Sequence, residues 1–261
     1  MELLVEPPVP SFETSHPDVG RADVLHWTWL GRIAYADAAR LQEHARESLL
    51  AGRGPERLLL LEHPPTITIG RNGDRAGLLA SDKDLARQGI VVEQSTRGGH
   101  LTWHAPGQLV AWPVLCLRRR RLGPREHVMR LASGIAAWLR EIGVLARWSD
   151  AEPGVWTDGS LPRKVASVGV HVHRDVTAHG AAVNLSVDLR GFAHIRPCGL
   201  AADVMTSVER ELGHAPEVEA AASGVAAAIA AAYGMAAFEI ASGAWAALGS
   251  LEDGAPVVFA P

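Results

Sequence analysis

Apolar positions spaced three and four residues apart predict three long helices. The first extends from Ile33 to Leu50, where small and apolar residues repeat at this spacing and Gly52 follows as a stop signal. The second begins at Pro124, a residue favoured in a first helical turn, and its apolar stripe ends before Gly143. The third is rich in alanine and lies between Pro216 and Gly234. These three segments form the predicted helical layer.

Short apolar runs bounded by proline or glycine predict the strands. Arg57–Glu62 encloses four leucines between Pro55 and Pro64, which is typical of a strand buried on both faces. Further strands are expected at Thr66–Ile69, Ile90–Val92, Leu109–Leu115, Val144–Trp148, Val155–Thr157, Val165–Val172 and Ala181–Leu189. Because strands and helices interleave, the sequence predicts an α/β or α+β fold with a largely central sheet.

The chain is predicted to form one domain preceded by an arm. Its 261 residues allow one large domain or two small ones. No repeat and no linker divides the sequence after about residue 23. Residues 1–22 are rich in Pro, Ser and Asp without a sustained period, so we expect a loosely ordered N-terminal arm followed by a single domain over 23–261.

Composition narrows the range of partners and compartments. With 25 basic and 29 acidic residues, the net charge of -4 provides no global field that attracts nucleic acid or an anionic membrane. The uncharged run Ala220–Phe238 is mostly alanine and too weakly apolar for membrane insertion. The N-terminus has no secretory pattern, and Cys116 and Cys198 lie far apart. We therefore expect a cytoplasmic protein with reduced thiols.

Cys198 is the first candidate for chemistry. Pro197 restricts the backbone before it, and Gly199 allows a sharp turn that brings N–H groups near the sulfur. A thiol exposed beside such donors suits nucleophilic catalysis, whereas a lone cysteine is also commonly a small buried hydrophobe. Cys116 lies inside the apolar run Val114–Leu117 and is interpreted as buried.

Lys164 is the second candidate, at the start of an otherwise apolar strand. A lysine in this position often extends its amine to water. If it lies close to a thiol, its ammonium group favours the reactive thiolate. The sequence does not place Lys164 near Cys198, so both interpretations stay open.

The stretch Arg97–Gln108 has the composition of a binding loop. The pair Gly98-Gly99 permits close approach of a ligand to the backbone. Polar groups around the ligand are supplied by Arg97, Thr102, His104 and Gln108. The spacing of glycine and lysine matches neither a phosphate-binding loop nor a dinucleotide fingerprint.

Two further clusters have weaker functional interpretations. His171 and His173 face the same side of a strand, but no cysteine pair or carboxylate motif completes a metal site, so no metal is expected. The run Arg118–Arg121 is most simply a solvated turn, and alternatively a docking patch for an anionic carrier protein.

Taken together, several ordered motifs between Tyr35 and Glu211 resemble the octanoyl-[acyl carrier protein]:protein N-octanoyltransferases, the lipoyl(octanoyl) transferases of lipoate biosynthesis. The segments that carry the resemblance are Glu62–Pro65 with Gly70-Arg71, Arg97–Gln108, Lys164–Gly169, Thr177–Gly180 with Asn184, and Pro197–Gly199 with Thr206-Ser207. The resemblance implies a mixed central sheet flanked by helices, similar to the catalytic domain of biotin and lipoate protein ligases.

The resemblance also implies a reaction and a set of site residues. An octanoyl group would pass from acyl carrier protein to a thioester on Cys198, and then to a lysine of a lipoyl-domain protein. Lys164 would lower the pKa of the thiol. Contacts with the acyl substrate would come from Arg97, Gly98, Gly99, His100, Leu101, Thr102, Trp103 and His104, from Ser167, Val168 and Gly169, and from Gly180, Ala181 and Ala182.

Partners and cofactors follow from the same resemblance. The donor would be acyl carrier protein, which holds the acyl group on its phosphopantetheine, and no other cofactor is expected. The acceptors would be lipoyl-domain proteins, namely the glycine cleavage H protein and the E2 subunits of 2-oxoacid dehydrogenases. Trp103, Ala105 and Ala181 depart from residues common in the family, namely Tyr, Gly and Leu. Since Ala181 would lie in the acyl pocket, the resemblance does not define the preferred chain length.

Three other functions stay open at this stage. An ATP-dependent lipoate or biotin ligase would share the fold without needing Cys198. A thiol hydrolase would combine Cys198 with His179 and Asn184. A non-catalytic module would bind the acyl carrier through Arg118–Arg121.

Overall fold

A computed structural model describes residues 23–196 and 204–242. Within these residues eleven strands form two sheets: β1 (Val24–Arg32), β2 (Arg57–Glu62), β3 (Thr66–Ile69), β4 (Val91–Gln94), β5 (Leu101–His104), β6 (Gln108–Val114), β7 (Ala146–Ser149), β8 (Gly154–Thr157), β9 (Lys164–His173), β10 (Val176–Asn184) and β11 (Ala236–Glu239). The helices are α1 (Tyr35–Leu50), α2 (Asp82–Arg87), α3 (Leu117–Arg120), α4 (Pro124–Glu141), α5 (Val208–Leu212) and α6 (Val218–Ala232). Short 3-10 turns lie at Arg75–Gly77 and Leu189–His194.

The larger sheet has eight strands in the order β11-β1-β2-β6-β10-β9-β8-β7. It is mixed, because β1 pairs in parallel with β2 and β11 while the remaining neighbours are antiparallel. The smaller sheet has the order β4-β3-β5. The central mixed sheet with flanking helices confirms the predicted fold class.

Opposite faces of the larger sheet are covered by different helices. Leu58 and Leu60 of β2 pack into a core shared with α4 and α6, while Leu59 and Leu61 pack against α1 on the other face. All four leucines are fully buried. The continuous leucine run is therefore explained by a strand covered on both sides, as predicted.

Most predicted elements are present, with shifted ends. β2 and β3 have the predicted bounds, and α1, α4 and α6 occupy the three predicted helical segments. β10 begins at Val176 and ends at Asn184, earlier than expected at both ends. The sequence pattern did not predict β1, β5 or β11, and the four arginines at 118–121 include a short helix rather than only a turn.

Two predictions fall outside the described residues. The arm at 1–22 and the segment 197–203, which contains Cys198, are not described, and neither is the C-terminal stretch 243–261. In the described part of the chain, no helix combines the length and the apolar character needed to span a bilayer.

Candidate active site

A cavity of about 640 Å³ is lined by residues of both sheets, and most of the predicted site residues line it. Its wall is formed by β9 and β10 of the large sheet, by the loop at 97–100, and by β5 of the small sheet. Each described member of the predicted set except Trp103 contributes to this lining: Lys164, Arg97, Gly98, Gly99, His100, Leu101, Thr102, His104, Ser167, Val168, Gly169, Gly180, Ala181 and Ala182. Residues distant in sequence are thus brought to one cavity.

Lys164 is buried at the start of β9 rather than extended to solvent. Its side chain is 6% exposed, and its Nζ lies 5.4 Å from the centre of the Trp156 ring, within the range of a cation–π interaction. Gly154 has a φ of +155°, and a Cβ there would collide with Cε of Lys164. Glycine at this position therefore provides the space in which the lysine side chain lies.

The segment that contains Cys198 is flanked by residues of the same cavity. Phe192, before the segment, and Met205, after it, both line the cavity. Met205 forms a parallel bridge with Lys164, and the N–H of Thr206 donates to the carbonyl of Lys164 at 3.0 Å. The chain that follows Cys198 thus returns to the position where Lys164 begins β9.

Arg97 organises the glycine loop through a buried guanidinium group. Its Nη2 donates to the carbonyl oxygens of Thr68 and His100 at 2.7 and 2.8 Å, and its Nη1 donates to the carbonyl of Gly98 at 2.9 Å. The Gly98 N–H donates to the carbonyl of Val170 at 2.9 Å. These bonds hold the loop between β3 and β9, where its backbone lines the cavity.

Glycines at the centre of β9 and β10 are required by close backbone contacts. A Cβ at Gly180 would collide with the carbonyl oxygen of Ala111 on β6, and one at Gly169 would lie 2.9 Å from the carbonyl oxygen of Gly98. The small side chains at these positions therefore allow β6 and the glycine loop to approach the wall of the cavity.

Trp103 is the one described residue of the predicted set that does not line the cavity. Its ring packs in the core of the small sheet, and its Nε1 donates to the carbonyl of Asp188 at 3.2 Å. A Cβ at Gly191 would collide with this ring. Because side chains alternate along β5, Thr102 and His104 reach the cavity while the Trp103 ring lies against the Leu189–His194 turn.

His179 and Tyr35 form a polar wall that the sequence analysis did not identify as a unit. Their rings stack with centres 6.4 Å apart, and both line the cavity. The Tyr35 hydroxyl shares a hydrogen bond with Ser95 at 2.6 Å, and the His179 Nε2 shares one with Thr96 at 2.9 Å. Tyr35 lies in α1, far from β10 along the sequence, so no local motif could indicate this contact.

Burial keeps the histidines of this region neutral. Desolvation, with smaller effects from Arg97, His171 and Arg46, lowers the pKa of His179 to about 3. Desolvation lowers the pKa of His63 to about 4, and it holds the pKa of His104 well below its usual range. His104 is also held in place, with its Nδ1 2.7 Å from Oε1 of Gln108. At neutral pH these rings therefore act as uncharged hydrogen-bonding groups.

The thiol-hydrolase alternative is not supported by these contacts. His179 and Asn184 lie five positions apart on β10, roughly 16 Å at the usual strand rise. The Asn184 amide donates to the carbonyl of Thr206 at 2.9 Å and accepts from Gln108, also at 2.9 Å. A triad requires its third member to orient the base, and Asn184 does not contact His179.

The remaining candidates have structural partners. Arg118 pairs with Asp175 at 2.5 Å, and Arg120 pairs with Asp23 at 2.8 Å and also with Glu56. Cys116 is half-buried at the edge of the α1 core. Across the described ranges, no group of three or more metal-ligating side chains is suitable for an ion, and His171 instead lies 3.3 Å from a nitrogen of Arg71.

Comparison with known proteins identifies the family. The model of the lipoyl protein ligase A/B catalytic domain matches residues 34–230. An octanoyltransferase from Acidobacterium capsulatum is 42% identical over 199 residues, which cover 72% of this chain and 81% of the relative. An octanoyltransferase from Solibacter usitatus is 45% identical over 171 residues, which cover 66% of this chain and 76% of the relative.

Solved structures confirm the predicted similarity to ligase catalytic domains. A bi-partite lipoate protein ligase from Thermoplasma acidophilum superposes with a TM-score of 0.64 at 13% identity, covering 86% of this chain and 89% of the other. A lipoate-protein ligase A bound with ATP gives a TM-score of 0.63 at 15% identity, covering 86% and 92%. At these identities the likeness concerns the fold alone. From the matched domain and the similar sequences together, we conclude that this chain is an acyltransferase and belongs to the lipoyl protein ligase A/B catalytic domain family.

Proposed function

We propose that the protein transfers an octanoyl group from acyl carrier protein to a lysine of lipoyl-domain proteins, through a thioester on Cys198. The observation that carries this proposal is the position of Lys164. Its buried amine lines a cavity whose wall also includes Phe192 and Met205, the residues on either side of the Cys198 segment. The names of the similar octanoyltransferases support the choice of acyl group.

The first step converts one thioester into another. The Cys198 thiolate attacks the carbonyl carbon of the octanoyl group, a bond forms between that carbon and Sγ, and the bond to the pantetheine sulfur breaks. The carrier thiol leaves with the proton that Cys198 has given up. An ammonium group at Lys164 favours the Cys198 thiolate over the thiol. Since the two thioesters are nearly equal in energy, no ATP is required.

The second step produces an amide. The amine of the acceptor lysine attacks the thioester carbon, a C–N bond forms, and the C–S bond to Cys198 breaks. The amine loses one proton and Cys198 returns to the thiolate. Lys164, which has passed its proton to the carrier thiol in the first step, accepts this proton and becomes an ammonium group again. N–H groups near Cys198 stabilise the oxyanion of the tetrahedral intermediate.

The cavity has the size and the lining for the acyl chain. An octanoyl group has seven carbons beyond its carbonyl, and at about 0.8 kcal/mol each their burial contributes about 5 kcal/mol of binding. Val110, Ala182 and Trp112 supply apolar surface. Because one methylene changes binding by little more than about tenfold, the preference for chain length is graded rather than absolute.

Intact-mass analysis tests this function directly. The protein is mixed with octanoyl-carrier protein without ATP, and the modified residue is mapped. We expect a mass increase of one octanoyl group on Cys198, absent from Cys198→Ala and retained in Cys116→Ala, the matched cysteine control. Adding a lipoyl-domain protein then transfers the group to its lysine. An adduct on Cys116, no adduct at all, or a requirement for ATP would contradict the proposal.

A further inference from the structure

A chain of buried polar residues connects the small sheet with the backbone beside Lys164. Its members are His104 of β5, Gln108 of β6, Asn184 of β10 and Thr206, and each is at most 5% exposed. Burying polar groups is costly unless they are hydrogen-bonded, and apolar side chains could fill such a space without that cost. A polar chain that is fully bonded instead specifies one arrangement of the elements that it joins.

The donors and acceptors of this chain allow only one direction for each bond. The carbonyl oxygen of Trp103 can only accept, so the side-chain nitrogen of Gln108 donates to it at 3.1 Å. The same nitrogen donates to Oδ1 of Asn184 at 2.9 Å, which leaves Oε1 of Gln108 to accept from Nδ1 of His104 at 2.7 Å. The Asn184 nitrogen then donates to the carbonyl of Thr206 at 2.9 Å. Asn184 is therefore the link between the two sheets and the chain at Thr206.

Thr206 connects this chain to Lys164. Its N–H donates to the carbonyl of Lys164 at 3.0 Å, and the preceding residue, Met205, forms a parallel bridge with Lys164. Its hydroxyl donates to Glu211 of α5. On the other side of Lys164 the pairing with β8 is irregular, because the register shifts where β8 meets the start of β9. The bond from Asn184 thus holds the backbone that supports Lys164 at an irregular part of the sheet.

We infer that Asn184 is a positioning residue for acyl transfer, which acts through Thr206 to hold Lys164 in its place relative to Cys198; this inference rests on the proposed function. Asn184 does not line the cavity, so it acts without touching the substrate. The attraction between an ammonium group and a thiolate falls with distance, and a displacement of about 1 Å can lower the rate of a reaction about a hundredfold. Loss of the Asn184 side chain should therefore weaken the effect of Lys164 while the residues that line the acyl cavity stay the same.

Two substitutions of Asn184 and one matched control test this role. Asn184→Ala removes both hydrogen bonds without adding bulk, and Asn184→Val fills more of the space with a side chain suited to a strand, so one variant remains informative if the other fails to fold. Tyr233→Phe is the control. It also removes a buried side-chain hydrogen bond, from the Tyr233 hydroxyl to the carbonyl of His127 at 2.9 Å, but Tyr233 does not line the cavity. All variants are compared at a temperature at which circular dichroism shows them to be folded.

The first readout is the pH dependence of Cys198 alkylation by iodoacetamide, followed by mass spectrometry of the peptide that contains Cys198. We expect both Asn184 variants to move the midpoint of this profile to higher pH, so that alkylation at pH 7 is slower by about threefold or more. Tyr233→Phe should keep the wild-type midpoint, because a loss of stability alone does not change the ionisation of Cys198 in the folded protein.

The second readout is the rate of octanoyl-enzyme formation as a function of the concentration of octanoyl-carrier protein. We expect the rate at saturating donor to fall about tenfold or more in the Asn184 variants. The half-saturating concentration should stay within about threefold of wild type, because the residues that bind the donor are unchanged. Tyr233→Phe should match wild type in both quantities.

Several results would overturn the inference. An unchanged alkylation midpoint or an unchanged saturating rate in a folded Asn184 variant would show that Asn184 does not position Lys164. A change confined to the half-saturating concentration would assign Asn184 to donor binding instead. If neither Asn184 variant folds while Tyr233→Phe does, Asn184 is required for the fold itself and not for positioning. Failure of the proposed function is recognised separately, because wild type would then form no octanoyl-enzyme, whereas the alkylation profiles need no acyl donor.

Discussion

The backbone N–H of His179 donates a hydrogen bond to the side-chain carbonyl of Gln42, joining β10 to α1. His179 has a φ of +57°, a backbone conformation that residues other than glycine rarely adopt. His179 pairs with Val170 in the sheet. In a regular strand its ring would point to the same face as Ala181, the side covered by α4. The His179 ring instead stacks on Tyr35 of α1. The bond that His179 donates to Gln42 therefore stabilises the backbone conformation that directs this ring into the cavity.

Replacing Gln42 tests the importance of that bond. Gln42→Met keeps most of the side-chain volume and removes the acceptor, which leaves the buried N–H of His179 without its partner. We expect the free energy of unfolding in urea to fall by about 1–3 kcal/mol. Gln88→Met, at an exposed position after α2, is the control and should change it by less than about 0.5 kcal/mol. If Gln42→Met and Gln88→Met have the same free energy of unfolding, the bond does not hold β10 in this conformation.

Substitution of Gly180 tests the close packing of the cavity wall. In Gly180→Ala the new methyl group would meet the carbonyl oxygen of Ala111, and a backbone atom cannot move as freely as a side chain. We expect a loss of stability of at least about 2 kcal/mol, measured by thermal or urea unfolding. Gly123→Ala is the matched control, because nothing lies within 4 Å of a Cβ there. If Gly180→Ala loses no more stability than Gly123→Ala, the backbones of β6 and β10 move apart at little cost, and the close contact is not required.

The local sequence pattern accounts for the elements of the fold better than for the site. Leucine runs and helical spacing indicate β2, α1 and α4, because burial on one or two faces leaves a periodic signature. β5 lies within the Gly- and Pro-rich stretch 97–107 and has only four residues, so loop signals mask it. Motif resemblance selected the residues that line the cavity, but it also included Trp103, whose direction depends on strand alternation.

Contacts between distant elements explain what the sequence analysis missed. The ring of Tyr35 stacks on His179 although the two lie 144 positions apart. The left-handed backbone of His179 has no signal in the sequence, since such a conformation is usual only for glycine. Both features arise from how α1 packs against β10 rather than from any local preference.

Lys164 is expected to control the ionisation of Cys198. Removing the ammonium group in Lys164→Ala should raise the pKa of the Cys198 thiol, because the thiolate then loses the positive charge that favours it. The measurement is the pH dependence of alkylation by iodoacetamide, followed by mass spectrometry of the peptide containing Cys198. Lys164→Arg retains the charge and should restore much of the profile. Lys83→Ala, at an exposed position on α2, is the control. An unchanged profile in Lys164→Ala would contradict this role for Lys164.

Buried neutral histidines predict how stability depends on pH. His63 and His127 are fully buried, and desolvation lowers the pKa of each to about 4 from 6.5. His127 also joins α4 to the end of α6, with its Nδ1 2.7 Å from the Tyr233 hydroxyl. Below about pH 6.5 the unfolded chain takes up protons at these positions, whereas the folded chain does not until about pH 4. The stability that neutral histidines confer is therefore complete above pH 6.5 and is lost as the pH falls towards 4.

We expect the free energy of unfolding to decrease between pH 6.5 and 4, with each fully buried histidine contributing up to about 3 kcal/mol over this range. The measurement is urea unfolding at several pH values. His127→Asn keeps a donor for the Tyr233 hydroxyl but cannot take up a proton, so its slope against pH should be smaller than that of wild type by up to about 1.4 kcal/mol per pH unit. His173→Asn, at an exposed position, should leave the slope unchanged. If the His127 and His173 variants give the same slope as wild type, protonation of His127 does not limit acid stability, and the buried ring must gain a proton without opening the α4–α6 contact.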